Sequence, residues 1–219
     1  MQKTLVLVLG LAALAVPTQQ AVAGETIALS SDWNQIGEQP DRCAPGLTGR
    51  GVPPKWAIVK TQPGAKLGIA ETSADTTDYR FPMCIIDGAA FASLGNLDVS
   101  VRFRAVAGKV DQAGGIAIRV KDPLNYYVVR ANALEDNVRL YAVIDGDRKQ
   151  FAGTNVKVAA QQWHTLRLRA LGDRFTVFFD NKQIFDASDK RIAAPGRVAL
   201  WSKADSVTEF VDLAIEPLP

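Results

Sequence analysis

The chain has 219 residues, 47% of them hydrophobic and 22% charged, with a formal net charge of +2. This is ordinary globular composition, and its length suits one large β domain. Lys and Arg are scattered rather than clustered, so there is no electrostatic case for a nucleic-acid partner.

The N-terminus reads as a secretory signal. Lys3 precedes an apolar run from Leu5 to Val16, and Ala21-Val22-Ala23 has the small-residue pattern of a cleavage site. The run is short for a bilayer span, and no cysteine follows the site directly, so no permanent membrane anchor is expected. Residues 1–23 are the expected signal and 24–219 a single mature domain, exported to the periplasm or the exterior. Export makes the two cysteines informative. Cys43 and Cys84 are either two buried thiols or one bridge, and an oxidising compartment favours the bridge.

Residues 24–96 read as irregular. WNQIGEQPDRCAPGLTGRGVPPKW is rich in Pro and Gly and is expected to be loop. KWAIVK (55–60) and KLGIA (66–70) are short strand candidates. ETSADTTDYRFPMC (71–84) is polar and turns at Pro82, and 85–96 holds one helical turn at most.

From Leu97 the pattern changes. Leu97, Val99, Val101, Phe103 and Ala105 alternate with Asp98, Ser100, Arg102 and Arg104, the period of a half-buried strand. Further strands are expected at 114–120, 126–131, 138–145, 149–156, 163–171, 174–180, 182–187, 196–203 and 208–216. KDPLN, ALED, DGDR, LGD and DNK supply turns between them. Many short strands at even spacing indicate an all-β sandwich or barrel, and there is no internal repeat or linker.

Strand parity locates a polar face. If Asn132 and Asn137 flank the ALED turn, Arg130 lies opposite Arg139, Val128 opposite Tyr141 and Tyr126 opposite Val143. Tyr127, Val129, Ala131, Val138, Leu140 and Ala142 then form the core face. The same rule across KDPLN puts Arg119 opposite Tyr126, Ala117 beside Val128 and Gly115 beside Arg130, with Ile116, Ile118 and Val120 in the core. One face is thus a trough with Gly115 and Ala117 as floor, walled by Arg119, Tyr126, Arg130, Asn132, Arg139 and Tyr141. Arg130 facing Arg139 requires an acidic partner such as Glu135, an anion or a ligand oxygen, because like charges directly opposite are unfavourable.

DQAGGIAIRVKDPLNYYVVRANALEDNVRLY, QQWHTLRLRALGDRFTVFFDNKQIFDASD and GRVALWSKADSVTEFVDLAI, in this order, resemble the concanavalin A-like jelly-roll superfamily. The nearest resemblance is to 3-keto-disaccharide hydrolase domains, also called family-16 glycoside hydrolase-like; laminin-G-like modules are more distant. The resemblance implies two packed, curved antiparallel sheets with any ligand on the concave face. It does not carry over the two-carboxylate catalysis of true family-16 glycosidases, whose E-x-D-x-x-E motif is missing here.

Sugar recognition needs flat apolar surfaces and planar polar groups that reach vicinal hydroxyls. Tyr126, Tyr141 and Trp201 suit the first role, and Arg119, Arg130, Asn132, Asn137 and Arg139 the second. A solvated sheet face is the simpler alternative. Glu135 and Asp78 are the candidate proton-transfer groups if the trough is catalytic, against turn chemistry and pairing with Arg. His164 is the only histidine, and with both cysteines expected in a bridge no zinc site can be assembled in the usual way; the resemblance implies that the Trp163-His164 pair is structural. No cofactor is expected. Calcium is the one metal that the loop residues Asp111, Asp145, Asp147, Asp180 and Asp205 suit chemically, although their spacing matches no calcium loop. Phe178, Phe179, Phe185 and Phe210 read as core. The leading expectation is an exported carbohydrate-recognition domain. A hydrolase or lyase of keto-disaccharide type and a laminin-G-like protein-interaction module are the alternatives.

Overall fold

A computed structural model describes residues 35–61 and 67–219; the expected signal segment 1–23 lies outside them. The described residues form fourteen strands: β1 (Cys43–Gly49), β2 (Trp56–Lys60), β3 (Leu67–Glu71), β4 (Arg80–Ile86), β5 (Leu97–Ala107), β6 (Ala113–Asp122), β7 (Asn125–Asn132), β8 (Asn137–Ile144), β9 (Asp147–Asn155), β10 (His164–Leu171), β11 (Arg174–Phe179), β12 (Lys182–Ser188), β13 (Arg197–Ser202) and β14 (Val207–Pro217). A single 3-10 turn spans Ala89–Phe91. The strands make two antiparallel sheets of seven, ordered β1-β4-β13-β6-β7-β8-β9 and β12-β11-β10-β5-β14-β3-β2. This is the expected all-β jelly-roll sandwich.

Apolar alternation drives the two sheets together. Leu97, Val99, Val101 and Phe103 of β5 meet Tyr127, Val129 and Leu140 of the facing sheet in one buried cluster. The turn chemistry closes the hairpins as expected. Asp145 and Gly146 join β8 to β9, and Asp180 and Asn181 join β11 to β12, all four with positive φ. Two successive positive-φ residues give the turn whose twist matches a hairpin, and Gly, Asn and Asp adopt it most easily.

The N-terminal part departs from the expectation. The sequence suggests loop over Cys43–Gly49 and a polar stretch turning at Pro82 over Arg80–Ile86, yet the two segments pair along their full length as β1 and β4. Pro45 and Pro82 obscured them. β1 is an edge strand, where proline is tolerated. The ladder between β4 and β13 stops at Met83↔Trp201, one residue short of Pro82, which has no N–H to give. Phe178 is also displaced from its expected core position: it lies half-buried on the face opposite Phe179, under the Arg167 guanidinium at 4.7 Å.

Cys43 and Cys84 form the expected disulfide, with Cα atoms 5.0 Å apart across the β1–β4 pair and a sequence separation of 41. Replacing both by alanine is expected to lower the urea unfolding free energy by about 3–4 kcal/mol, chiefly through the freed unfolded chain. A loss below about 1 kcal/mol would show that the bridge adds little to what β-pairing already provides.

Candidate functional site

The β7–β8 register is the one the parity argument gives: Asn132↔Asn137, Arg130↔Arg139, Val128↔Tyr141 and Tyr126↔Val143. Gly115 and Ala117 lie beside Arg130 and Val128. This face points away from the second sheet and is concave. Thr48 on edge strand β1 shares a 2.8 Å hydrogen bond with the Tyr126 hydroxyl on β7. Four flat interstrand steps would separate those strands by about 19 Å, so the sheet curls over this face. The Tyr79 hydroxyl closes the curl further by donating to the Gly146 carbonyl of the β8–β9 turn.

The trough floor is filled. Phe81, Met83, Ala117, Tyr126, Val128, Tyr141 and Trp201 form a second apolar cluster on the concave side. Phe81 and Trp201 stack at 5.4 Å with an interplanar angle of 15°. Tyr126 and Trp201 are fully buried, and the indole N–H donates to the Tyr126 hydroxyl. These two rings support the surface from below and present no open stacking platform. Tyr141 lies higher and receives a 3.1 Å hydrogen bond from Arg130.

Arg119 does not join the trough. The β6–β7 register shifts between Ile118 and Asp122, and Arg119 has φ +50°. Its guanidinium turns away to the carbonyls of Gly95, Gly172 and Ile192, beside the core rings of Tyr127 and Phe175. The bulge also reverses the parity beyond it, so Val120 packs in the concave-side cluster and not in the expected main core.

Two polar chains converge at the ALED end of the face. Arg130 is buried and donates to Asn137, to Glu135 at 2.7 Å and to Tyr141. Asn137 also donates to Glu135 at 3.1 Å. Glu135 therefore offsets the Arg130–Arg139 juxtaposition, while Arg139 turns to Asn155 at 2.7 Å. The Glu135 side chain remains 46% exposed. In the second chain, Asn132 caps the ALED turn through the Leu134 and Glu135 N–H groups and donates to Asp111 at 2.7 Å. Lys203 bridges Asp111 and Asp78, both at 2.8 Å, and Asp78 is 75% exposed. Asp111 is set in place by Asp205, whose carboxylate accepts the backbone N–H groups of Lys109, Val110 and Asp111.

Lys203, Asp111 and Arg148 are the residues that the trough argument missed as members of this face. Arg148 lies opposite Val143, so extending parity through the DG turn would have placed it here. Lys203 and Asp111 come from distant loops and give no periodic signal.

Charge is distributed unevenly across the network. Burial pushes the Glu135 carboxyl up, but the Arg130 charge and the bonds from Asn137 and Arg130 outweigh it and hold Glu135 below its ordinary range. The hydrogen bond from Lys203 and its charge lower Asp78. Burial raises Asp111 against the pull of Lys203. Burial works against the Lys203 ammonium, yet its bonds to Asp111 and Asp78 raise it overall. The exposed carboxylates are thus held ionised as hydrogen-bond acceptors.

The loop aspartates do not gather. Asp180 binds His164 Nδ1 at 2.7 Å and the Thr165 N–H, which fixes His164 as a structural residue. Asp147 pairs with Lys149, and Asp111 and Asp205 are engaged as above. Among the described residues no three His, Cys, Asp or Glu side chains are placed to share a metal ion. No helix of the described residues is long and apolar enough to cross a membrane. A hollow of about 500 Å³ lined by Arg50, Tyr79, Leu124, Asp145 and Asp147 opens at the β8–β9 end of the concave face.

A two-sheet sandwich with a polar network on its concave face defines a lectin-type β-sandwich. The chain belongs to the family of galactocerebrosidase C-terminal lectin domains, which matches residues 98–218. Among solved structures it is similar to the carbohydrate-binding module CBM66 from Bacillus subtilis, with a TM-score of 0.60 and 20% identity over 78% of this chain and 95% of that one. A protein of unknown function with a galectin-like fold, also from Bacillus subtilis, gives a TM-score of 0.56 at 8% identity, covering 88% and 98% of the two chains. The lumenal domain of VIP36, in a form bound to Ca2+ and Man3GlcNAc, gives 0.54 at 12% identity, covering 75% and 84%. These likenesses establish the fold. No curated protein matches the chain.

The concave-side tyrosine gives a pH prediction. Burial, against its bonds to Thr48 and Trp201, pushes Tyr126 up to about 12. Burial and the bond to Asp189 push Tyr127 up to about 12 as well. A raised folded pKa contributes stability that is complete below the ordinary value of 10.0 and is lost as pH rises through about 12. The urea midpoint is therefore expected to fall steeply between pH 10 and 12, and less steeply in Tyr126→Phe/Tyr127→Phe. A wild-type midpoint constant across that window would contradict the assignment.

Proposed function

We propose that this protein is an exported carbohydrate-recognition module whose ligand lies on the concave face, against Arg130, Glu135, Asn137, Tyr141, Lys203 and Asp78. The observation that carries the proposal is the fixed fan of donors and acceptors around Arg130. It donates to Glu135, Asn137 and Tyr141 while Glu135 keeps lone pairs toward solvent. Vicinal hydroxyls need alternating donors and acceptors held in one geometry, and pre-organised groups lose little entropy on binding. Membership of a lectin-domain family supports the reading, as does the lectin-type fold. The disulfide supports export to an oxidising compartment.

The finer resemblance to 3-keto-disaccharide hydrolase domains supplies the competing use of the same face. Glu135 and Asp78 are both held below their ordinary pKa range, which suits hydroxyl acceptors better than proton donors. The match to a lectin-domain family favours binding over hydrolysis. The mature protein is expected to bind members of an oligosaccharide panel by calorimetry. Glu135→Gln is expected to weaken binding about tenfold by removing one charge-assisted acceptor. Mass spectrometry of the same mixtures, with 3-keto-disaccharides included, is expected to show no product. Absence of binding across the panel would contradict the proposal. Product formation that Glu135→Gln or Asp78→Asn abolishes would replace it with the hydrolase reading.

A further inference from the structure

We infer that the carbohydrate bound here is anionic, and that Arg148 meets its negative charge. This rests on the carbohydrate reading above and narrows it. Arg148 projects from the second residue of β9 onto the concave face, opposite Val143. Its guanidinium carbon lies 4.3 Å from the ring centre of Tyr141, 4.5 Å from Phe81 and 5.8 Å from Trp201. Three aromatic faces therefore hold the planar cation in place. Such faces stabilise the charge, but they offer no lone pairs in the plane where the five N–H groups point.

The other cations of the face have side-chain acceptors. Arg130 has Glu135, Lys203 has Asp78 and Asp111, and Arg139 has the Asn155 amide oxygen at 2.7 Å. Arg148 has no ion pair with a carboxylate of the described residues, and its Nη1 is buried without a hydrogen-bond partner among them. A buried, unpaired N–H of a charged group is costly and calls for an acceptor. The residue as a whole is half-buried, so part of it still faces solvent. Tyr141 connects it to the proposed binding groups, because the ring is flanked by Arg148 at 4.3 Å and by Arg130 at 5.7 Å. A sugar placed over Arg130 and Glu135 would thus have its neighbouring residue over Arg148. A carboxylate or sulfate on that residue matches the planar fork of a guanidinium, which a neutral hydroxyl does not.

The competing role for Arg148 is a cover for the aromatic floor. Arg148→Met separates the two, since methionine covers the same rings without charge. The test is calorimetry of the mature protein against acidic oligosaccharides carrying uronate, sialate or sulfate, each beside its carboxyl-reduced or desulfated form. In pairs that bind, the acidic form is expected to be favoured about tenfold or more. That preference should shrink with added salt and disappear in Arg148→Met, whose binding of neutral forms persists. The wild-type comparison stands even if the variant folds poorly, and the uronate and sulfate arms distinguish the two sources of charge. Equal binding of acidic and neutral forms would overturn this inference alone. So would a preference that survives Arg148→Met. No binding by any pair would overturn the carbohydrate reading with it.

Discussion

The buried ion pair between Arg80 and Glu71 is the constraint on which the site depends. Both side chains are almost wholly buried, and they come from different sheets. Arg80 Nη1 and Nη2 reach the two Glu71 oxygens at 3.3 and 3.1 Å; Nη2 also reaches Ser73, Nη1 the Ala204 carbonyl and Nε the Val52 carbonyl. One guanidinium therefore holds the segment leading to Asp78 and the turn that carries Lys203. Glu71 in turn accepts the backbone N–H groups of Lys55 and Ser73. A buried pair of this kind adds little over an apolar substitute of the same shape. Removing one partner costs about 3–5 kcal/mol, because the other charge is left uncompensated. The pair is better understood as fixing where the loops lie than as a net source of stability.

With those loops fixed, the concave face follows from local chemistry. Curling the sheet brings the edge strand over the centre and buries an aromatic floor. The polar groups are displaced to the rim, where they must satisfy one another. Gly115 makes room for this arrangement: a Cβ there would lie 2.5 Å from the Val129 carbonyl and 3.0 Å from Arg130 Cβ. Arg130 can then fold down against the sheet and reach three partners, while Arg139 opposite it turns outward. The like-charge pair that looked unfavourable in isolation is separated by geometry and offset by Glu135.

Much of this was legible in the sequence, and the failures have specific causes. The β7–β8 register could be read because the side-chain period is two, the ALED turn is short and Arg130, Asn132, Asn137 and Arg139 all fall on one face. Arg119 was misplaced because a bulge with positive φ leaves no clear mark in a run of alternating residues. β1 and β4 were missed because Pro45, Gly46 and Gly49 in β1 and Pro82 in β4 interrupt the strand signal. Trp201 and Tyr126 were placed on the right face, but their burial depends on Phe81, Thr48 and Arg148 folding over them, which no local pattern reports. The Asp78–Lys203–Asp111 chain joins three distant segments and could emerge only from the fold.

The most direct measurement is arginine side-chain NMR during titration with an oligosaccharide that binds. The concave-face account predicts that the Nε–H signals of Arg130 and Arg148 shift as ligand is added. Arg119, held by three backbone carbonyls, and Arg102 and Arg104, stacked beside Trp163 on the opposite sheet, should remain unchanged. Shifts confined to Arg102 and Arg104, with Arg130 and Arg148 silent, would place the ligand on the wrong side of the sandwich for this account and contradict it.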